Sequence, residues 1–131
     1  MSQQIGDESV YFRINELKKG SVQFTDATNA ERLLREHGDS IRYMAAWKKW
    51  LVWNGTHWET DEGGALIHEK GLGTVRNIYD EISKTSDYRE RIEIEKYAML
   101  SESVRRRKAF VEAASWMKEL NITSDRLDAN P

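Results

Sequence analysis

The sequence contains no cysteine, so disulfides and thiolate metal sites are excluded, which suits a reducing cytosol. It also lacks any apolar run approaching the length of a membrane span, and the polar start Met1-Ser2-Gln3-Gln4 does not read as a signal peptide. Neither sign of charge is in surplus: 20 Lys and Arg stand against 22 Asp and Glu, a net charge of -2. A dedicated nucleic-acid binder carries a basic excess, so any such role here must rest on a local patch. Repeats and low-complexity tracts are missing as well. The 131 residues suffice for one domain with a genuine core.

What the chain has in quantity is tryptophan, and four of its five lie between Ile41 and Glu59. Asn54-Gly55, set between two aromatic and β-branched runs, signals a tight hairpin because both residues tolerate positive φ. A two-residue loop there pairs Trp53 with Thr56, Val52 with His57, Leu51 with Trp58 and Trp50 with Glu59. A looser turn over Ala46-Trp47-Lys48-Lys49 folds residues 41–45 back on 50–53 and completes a three-stranded meander. Period-2 alternation puts Tyr43, Trp50 and Val52 on one face, and Met44, Leu51, Trp53 and Trp58 on the other. Both faces are apolar, so helices must cover the sheet on at least one side.

Four helices are expected around it. The first runs from about 28 to 37, opened by a capping box at Thr28-Asn29-Ala30-Glu31, striped by Ala30, Leu33 and Leu34, and stopped by Gly38. After the turn Asp61-Glu62-Gly63-Gly64, a second begins near Ala65 and carries Ile67, Val75, Ile78, Tyr79 and Ile82. Gly71 and Gly73 are expected to fray or kink its first turns. The third, about 88–100, presents Tyr88, Ile92, Ala98 and Met99. The fourth, about 103–120, is capped by Ser101-Glu102-Ser103 and striped by Phe110, Ala113, Ala114, Met117 and Leu120. The fold class is therefore α+β in a single domain, a three-stranded antiparallel meander packed with about four helices. Residues 1–22 read as a flexible arm, in which Val10, Phe12, Ile14 and Leu17 make at most two helical turns before Gly20. Residues 23–123 form the module and 124–131 an extended linker, the extended run starting at Asn121. The end at Asn130-Pro131 reads as a domain border.

The order of several motifs is distinctive: Phe24-Thr25-Asp26, Asn29-Ala30-Glu31-Arg32-Leu33, His37-Gly38-Asp39, Ile41-Arg42-Tyr43, and Trp47-x-x-Trp50-x-x-Trp53-Asn54-Gly55-x-x-Trp58. Arg76 with Ile78-Tyr79, and Lys96-Tyr97-Ala98 leading into Ser101-Glu102-Ser103, continue it. This succession, over about 24–129, resembles the module that precedes the superfamily 3 helicase in phage, plasmid and poxvirus-type primase–helicases. The resemblance marks Asn29, Arg32, Gly38, Arg42, Tyr43, Trp50, Trp53, Gly55 and Trp58 as structural motif residues. It implies a non-catalytic module of a DNA-replication protein, cytoplasmic in a bacterial or host cell, whose partners are the primase and helicase domains of the same protein. The chain departs from the family in Lys48, where glycine is usual, and in Tyr97, where tryptophan is frequent. Neither the helicase's phosphate-binding loop nor the primase's metal-binding acids occur in it.

Conventional catalytic and metal motifs fail on inspection. His68-Glu69 begins like a zinc-protease motif, but Leu72 stands where the second histidine belongs. His57 is expected on the strand face with Trp50 and Val52 as a packed side chain. Gly71-Leu72-Gly73 neither follows a strand directly nor has a third glycine, so it is no nucleotide loop. No catalytic residue, metal ligand or cofactor is assigned.

Two features stand above that background as candidate nucleic-acid contacts. Arg105-Arg106-Arg107-Lys108 opens the fourth helix, with Arg89 and Arg91 on the third. Cations at a helix start oppose its dipole, which calls for an acidic neighbour or a partner. The plain alternative is a solvated helix start whose charges pair with Glu102 and Glu112. Arg106 falls in line with Phe110, Ala113 and Met117, and so is expected at the edge of the core. The second feature is the tryptophan pair Trp47 and Trp53, with Lys48 and Lys49 adjacent: rings beside lysines can stack on unpaired bases while the amines hold phosphate. Trp50, Trp53 and Trp58 are expected in the core, with Trp47 left partly exposed. Three functions follow: a linking and DNA-guiding module that contacts single-stranded DNA, a pure protein-interaction or oligomerisation module, or a nucleotide-binding accessory domain in primer initiation.

Overall fold

Thr25-Asp26 starts the first helix, and residues 28–34 behind it are buried without a break. A computed structural model describes residues 25–123 and 125; the expected arm over 1–22 and most of the expected linker over 124–131 lie outside them. Helix α1 spans Asp26–His37. The strands β1 (Ile41–Met44), β2 (Lys49–Trp53) and β3 (Trp58–Thr60) follow. A short 3-10 turn at Glu62–Gly64 then leads into α2 (Ala65–Tyr79), which tightens into a 3-10 segment over Asp80–Lys84. Helices α3 (Tyr88–Ser101) and α4 (Val104–Ser115) complete the set. The sheet is an antiparallel meander in the order β1-β2-β3, so the architecture is α+β, as expected.

Helix α1 is the axis of the molecule and packs chiefly against α4 and α2. Ala30, Leu33 and Leu34 meet Ile41 and Trp50 of the sheet, Ile67 and Val75 of α2, and Phe110, Val111 and Ala114 of α4 in one core. A smaller cluster of Ile78, Ile94, Tyr97 and Ala98 joins α2 to α3. Both sheet faces are buried, through Ile41, Trp50 and Val52 on one and Met44 and Leu51 on the other.

Several local expectations are corrected. The cap of α1 is Thr25, whose hydroxyl accepts from Thr28 N at 3.1 Å, so the helix starts two residues before the expected box. Gly38 ends the helix after His37 as expected, but with φ -57, an ordinary helical value. It is held by space: a Cβ there would stand 2.5 Å from the Leu34 carbonyl oxygen. In the hairpin, Trp53 faces Trp58, Val52 faces Glu59 and Leu51 faces Thr60. The loop therefore has four residues, because the Asn54 side chain accepts from Thr56 N at 2.9 Å and His57 N at 3.0 Å and wraps the turn around itself. A shift of two residues preserves the side-chain faces. It does move His57 out of the sheet and into the exposed loop, where its ring meets Asn54 and Thr56.

The helices differ from expectation in phase and length. Helix α2 runs unbroken through Gly71 and Gly73, with Gly71 set against the Phe110 ring. Its start is capped from upstream by Asp61, a buried carboxylate accepting from Leu66 N at 3.1 Å and Ile67 N at 2.8 Å. Helix α3 buries Ile94, Tyr97, Ala98 and Ser101, leaving Tyr88 and Met99 of the expected stripe exposed. Apolar residues surround α3, so more than one stripe fitted its sequence. Helix α4 ends at Ser115, five residues early. Asn121 donates from Nδ2 to the Ser115 carbonyl at 2.9 Å and the Met117 carbonyl at 2.7 Å, turning the chain so that Leu120 drops into the core. Asn121 then bridges Tyr43 in parallel at the free edge of β1, and Asp125 is helical, not extended.

Candidate nucleic-acid interface

The motif residues Asn29, Arg32 and Arg42 work inside the fold. Asn29 donates to Ser101 Oγ at 3.0 Å, tying α1 to the end of α3. Arg32 grips the Glu81 carboxylate with both terminal nitrogens in a buried ion pair. Such a pair offsets its own desolvation more than it adds net stability, but it punishes loss of either partner. Tyr97, beside it, donates its hydroxyl to the Thr25 carbonyl at 2.7 Å, and burial pushes its ionisation well above the usual phenol range. Arg42 donates to the Gly38 and Ile41 carbonyls and lies 5.3 Å from the Trp58 ring centre. Trp58 in turn packs edge-on against Trp53 at 5.4 Å, and Tyr43 against Trp50 at 5.1 Å. Of the three core tryptophans expected, Trp50 is buried, while Trp53 and Trp58 are half-buried. Glu81 and Ser101 were missed as partners because pairing across 49 and 72 residues leaves no local pattern.

The basic helix start is intact as a surface feature. Ser103 caps α4 by accepting from Arg106 N at 3.1 Å, and Arg105, Arg106 and Lys108 are exposed behind it. Arg106 reaches Asp26 at 3.6 Å. Among the described residues Arg105, Arg107 and Lys108 form no ion pair, with Glu102, Glu112 or any other acid. Glu102 is taken instead by the Tyr79 hydroxyl at 2.5 Å, a bond that pushes Tyr79 up to about 12. Arg107, not Arg106, lies at the edge of the core, because the buried stripe is Phe110, Val111 and Ala114. Its Nε is buried with no hydrogen-bond partner. His68 of α2 faces this cluster: burial lowers its pKa first, and the charges of Arg107 and Lys108 lower it further.

The Ala45–Lys48 turn lies elsewhere. Trp47 is 46% exposed, as expected for a ring at a turn. Lys49 is drawn away to Glu62, whereas Lys48 is exposed with φ +53, a left-handed conformation. Tyr43, Ala45 and Lys48 form one wall of a cavity of ≈ 400 Å³ whose other wall is Ser115, Trp116, Lys118 and Asn121. Trp116 is 81% exposed. Trp116-x-Lys118 went unnoticed in the sequence, although it repeats the aromatic–lysine adjacency that singled out Trp47. The two basic features thus sit at opposite ends of α4, about 15 Å apart at 1.5 Å per residue.

Among the described residues no group of three or more His, Asp or Glu side chains is placed to hold a metal ion, and no helix is long and apolar enough to cross a membrane. This is a small α+β module whose buried polar residues serve the fold and whose exposed cations and rings face outward. Residues 30–131 match the family model described as D5 N terminal like, and the chain belongs to that family, the N-terminal domain of D5-like primase–helicase proteins of phage and viral DNA replication. No curated protein and no solved structure matches it.

Proposed function

We propose that the chain is a non-catalytic module of a phage or plasmid primase–helicase, linking the primase to a superfamily 3 helicase and guiding single-stranded DNA between them. The observation that carries the DNA-guiding half is the helix start of α4, where Arg105, Arg107 and Lys108 have no ion-pair partner among the described residues. Three uncompensated cations against a helix dipole are stabilised by phosphate, and such contacts are independent of sequence. The linking half draws on the corner between α3 and α4, where Met99, Leu100 and Val104 are 61%, 62% and 57% exposed. Apolar side chains grouped in this way suit contact with another domain of the same protein.

Fluorescence anisotropy with a labelled single-stranded oligonucleotide at several salt concentrations tests the reading. Binding is expected to weaken by roughly 0.7 log units per log unit of salt for each phosphate neutralised. Changing Arg105 and Lys108 together to glutamine is expected to flatten that slope and leave the melting temperature unchanged. Parental binding by the double variant at low salt would remove the arginine patch from the DNA path and put a pure interaction module first. In parallel, the chain is expected neither to hydrolyse ATP nor to make or extend primers; turnover that co-purifies with the protein would overturn the non-catalytic assignment.

A further inference from the structure

We propose that the cavity between the Ala45–Lys48 turn and the segment after α4 binds one nucleotide, its base against Trp116 and its phosphate held by Lys48 and Lys118. Four features of the cavity, all independent of the arginine patch, point to this ligand. The first is size: ≈ 400 Å³ lies within the usual range for small-ligand sites, about 300–1,000 Å³. The second is the ring of Trp116, 81% exposed at the C-cap of α4. An indole left in water at a cavity edge is stabilised by any flat aromatic partner that covers it. The third is charge. Lys48 and Lys118 both border the cavity, and among the described residues no acid lines it and neither lysine has an ion pair. An inorganic anion would leave the indole unused, and an apolar peptide would leave the ammonium groups unused. A base joined to a phosphate uses both.

The fourth observation is strain. Lys48 holds φ +53, which a side chain other than glycine adopts at a conformational cost. Glycine would remove that cost and also remove the ammonium from the cavity wall. The wall itself is well fixed: Tyr43 takes the Leu120 carbonyl at 2.7 Å through its N–H, and its ring packs on Trp50. Asn121 closes the far side while bonded to the end of α4. The cavity is thus framed by paired backbone and not by loose loop.

The nucleotide can come from two sources, free in solution or as one unit of a single strand, and the experiment separates them. The full chain is titrated with dAMP by calorimetry and with a labelled oligothymidylate by anisotropy. Each titration is repeated on Lys48→Gly, Trp116→Ala and the Arg105→Gln/Lys108→Gln variant. Loss of dAMP binding by about tenfold in both Lys48→Gly and Trp116→Ala, a loss within the range of base–aromatic stacking, establishes a site for the free nucleotide. If only the oligonucleotide binds and both variants weaken it, the site takes a nucleotide from a strand. Lys48→Gly relieves the backbone, so weaker binding by that variant is not a folding defect. Parental affinity of Lys48→Gly and Trp116→Ala for whichever probe binds overturns the proposal. Should that binding vanish in the Arg105→Gln/Lys108→Gln variant, the DNA-guiding reading survives alone. No binding of either probe at low salt overturns both.

Discussion

At φ +53, Lys48 works against its own side chain, and the sign of a substitution there can be worked out. A left-handed residue other than glycine costs about 1–2 kcal/mol, while glycine gives back about 0.4–1 kcal/mol through the freedom of the unfolded chain. Lys48→Gly is therefore expected to stabilise by about 0.5–1 kcal/mol, raising Tm by about 2–4 °C in a domain of this size. Gly55, at φ +104, is the opposite case: a Cβ there meets nothing within 4 Å, so the cost of Gly55→Val is conformational alone. It is expected to be about 1 kcal/mol or more. Calorimetric melting of both variants checks the pair; a lower Tm for Lys48→Gly or an unchanged one for Gly55→Val would contradict the turn geometry. The need for glycine at 55 was legible in Asn54-Gly55. The register was not, because Asn54 wraps the turn with its own side chain, a choice that dipeptide chemistry leaves open.

Elements were legible where one apolar stripe dominated and illegible where several competed. Helices α1 and α2 carry a single stripe and were found nearly at their true limits. The stripe of α3 was misphased because Tyr88, Ile92, Met99 and Leu100 offer further apolar positions, of which the fold half-buries Ile92 and leaves the other three exposed. The end of α4 was hidden for another reason: helical spacing continues to Leu120, and only the tertiary bonds of Asn121 show that the helix stops first. Asn121→Ala is expected to remove two bonds, to the Ser115 and Met117 carbonyls, at about 0.5–1.5 kcal/mol each. It should also loosen the pairing of residues 120–122 with β1. Hydrogen exchange at Tyr43, whose amide bonds the Leu120 carbonyl, and at Ile122, whose amide bonds the Tyr43 carbonyl, reads that loosening directly. Faster exchange at those two amides with β2 unchanged is the expected result; uniform protection would mean that Asn121 is not what holds the segment.

For the molecule as a whole, acid is expected to destabilise the fold from neutral pH downward. Burial lowers the pKa of His37, helped by Lys70, and that of His68, helped by Arg107 and Lys108. The unfolded chain therefore takes up these two protons first. The stability they contribute is present above the ordinary value of 6.5 and is lost as pH falls through the folded values. Glu36 acts the other way. Burial raises its pKa above 4.5 although Thr74 donates to it at 2.8 Å, so its contribution is lost as pH rises through the folded value. Urea midpoints at pH 7.5, 6.5 and 5.5 should fall with pH, and His37→Gln/His68→Gln should flatten the fall. A flat profile for the parent would mean that the imidazoles are not buried as described. The basic patch around His68 could be read from four consecutive cations, but the cavity beside Lys48 could not. Its two walls, 43–48 and 115–121, meet only because residues 120–122 return to β1.

Helix α1 is the first described element the ribosome makes, yet its buried partners arrive late. Asn29 waits 72 residues for Ser101, Thr25 the same distance for Tyr97, and Arg32 49 residues for Glu81. At synthesis rates of about 5–20 residues per second, the nascent chain carries Leu33 and Leu34 uncovered for several seconds. Co-translational folding of this module is accordingly expected to be late, because the core around Leu33 and Leu34 closes only once Phe110, Val111 and Ala114 of α4 have been made.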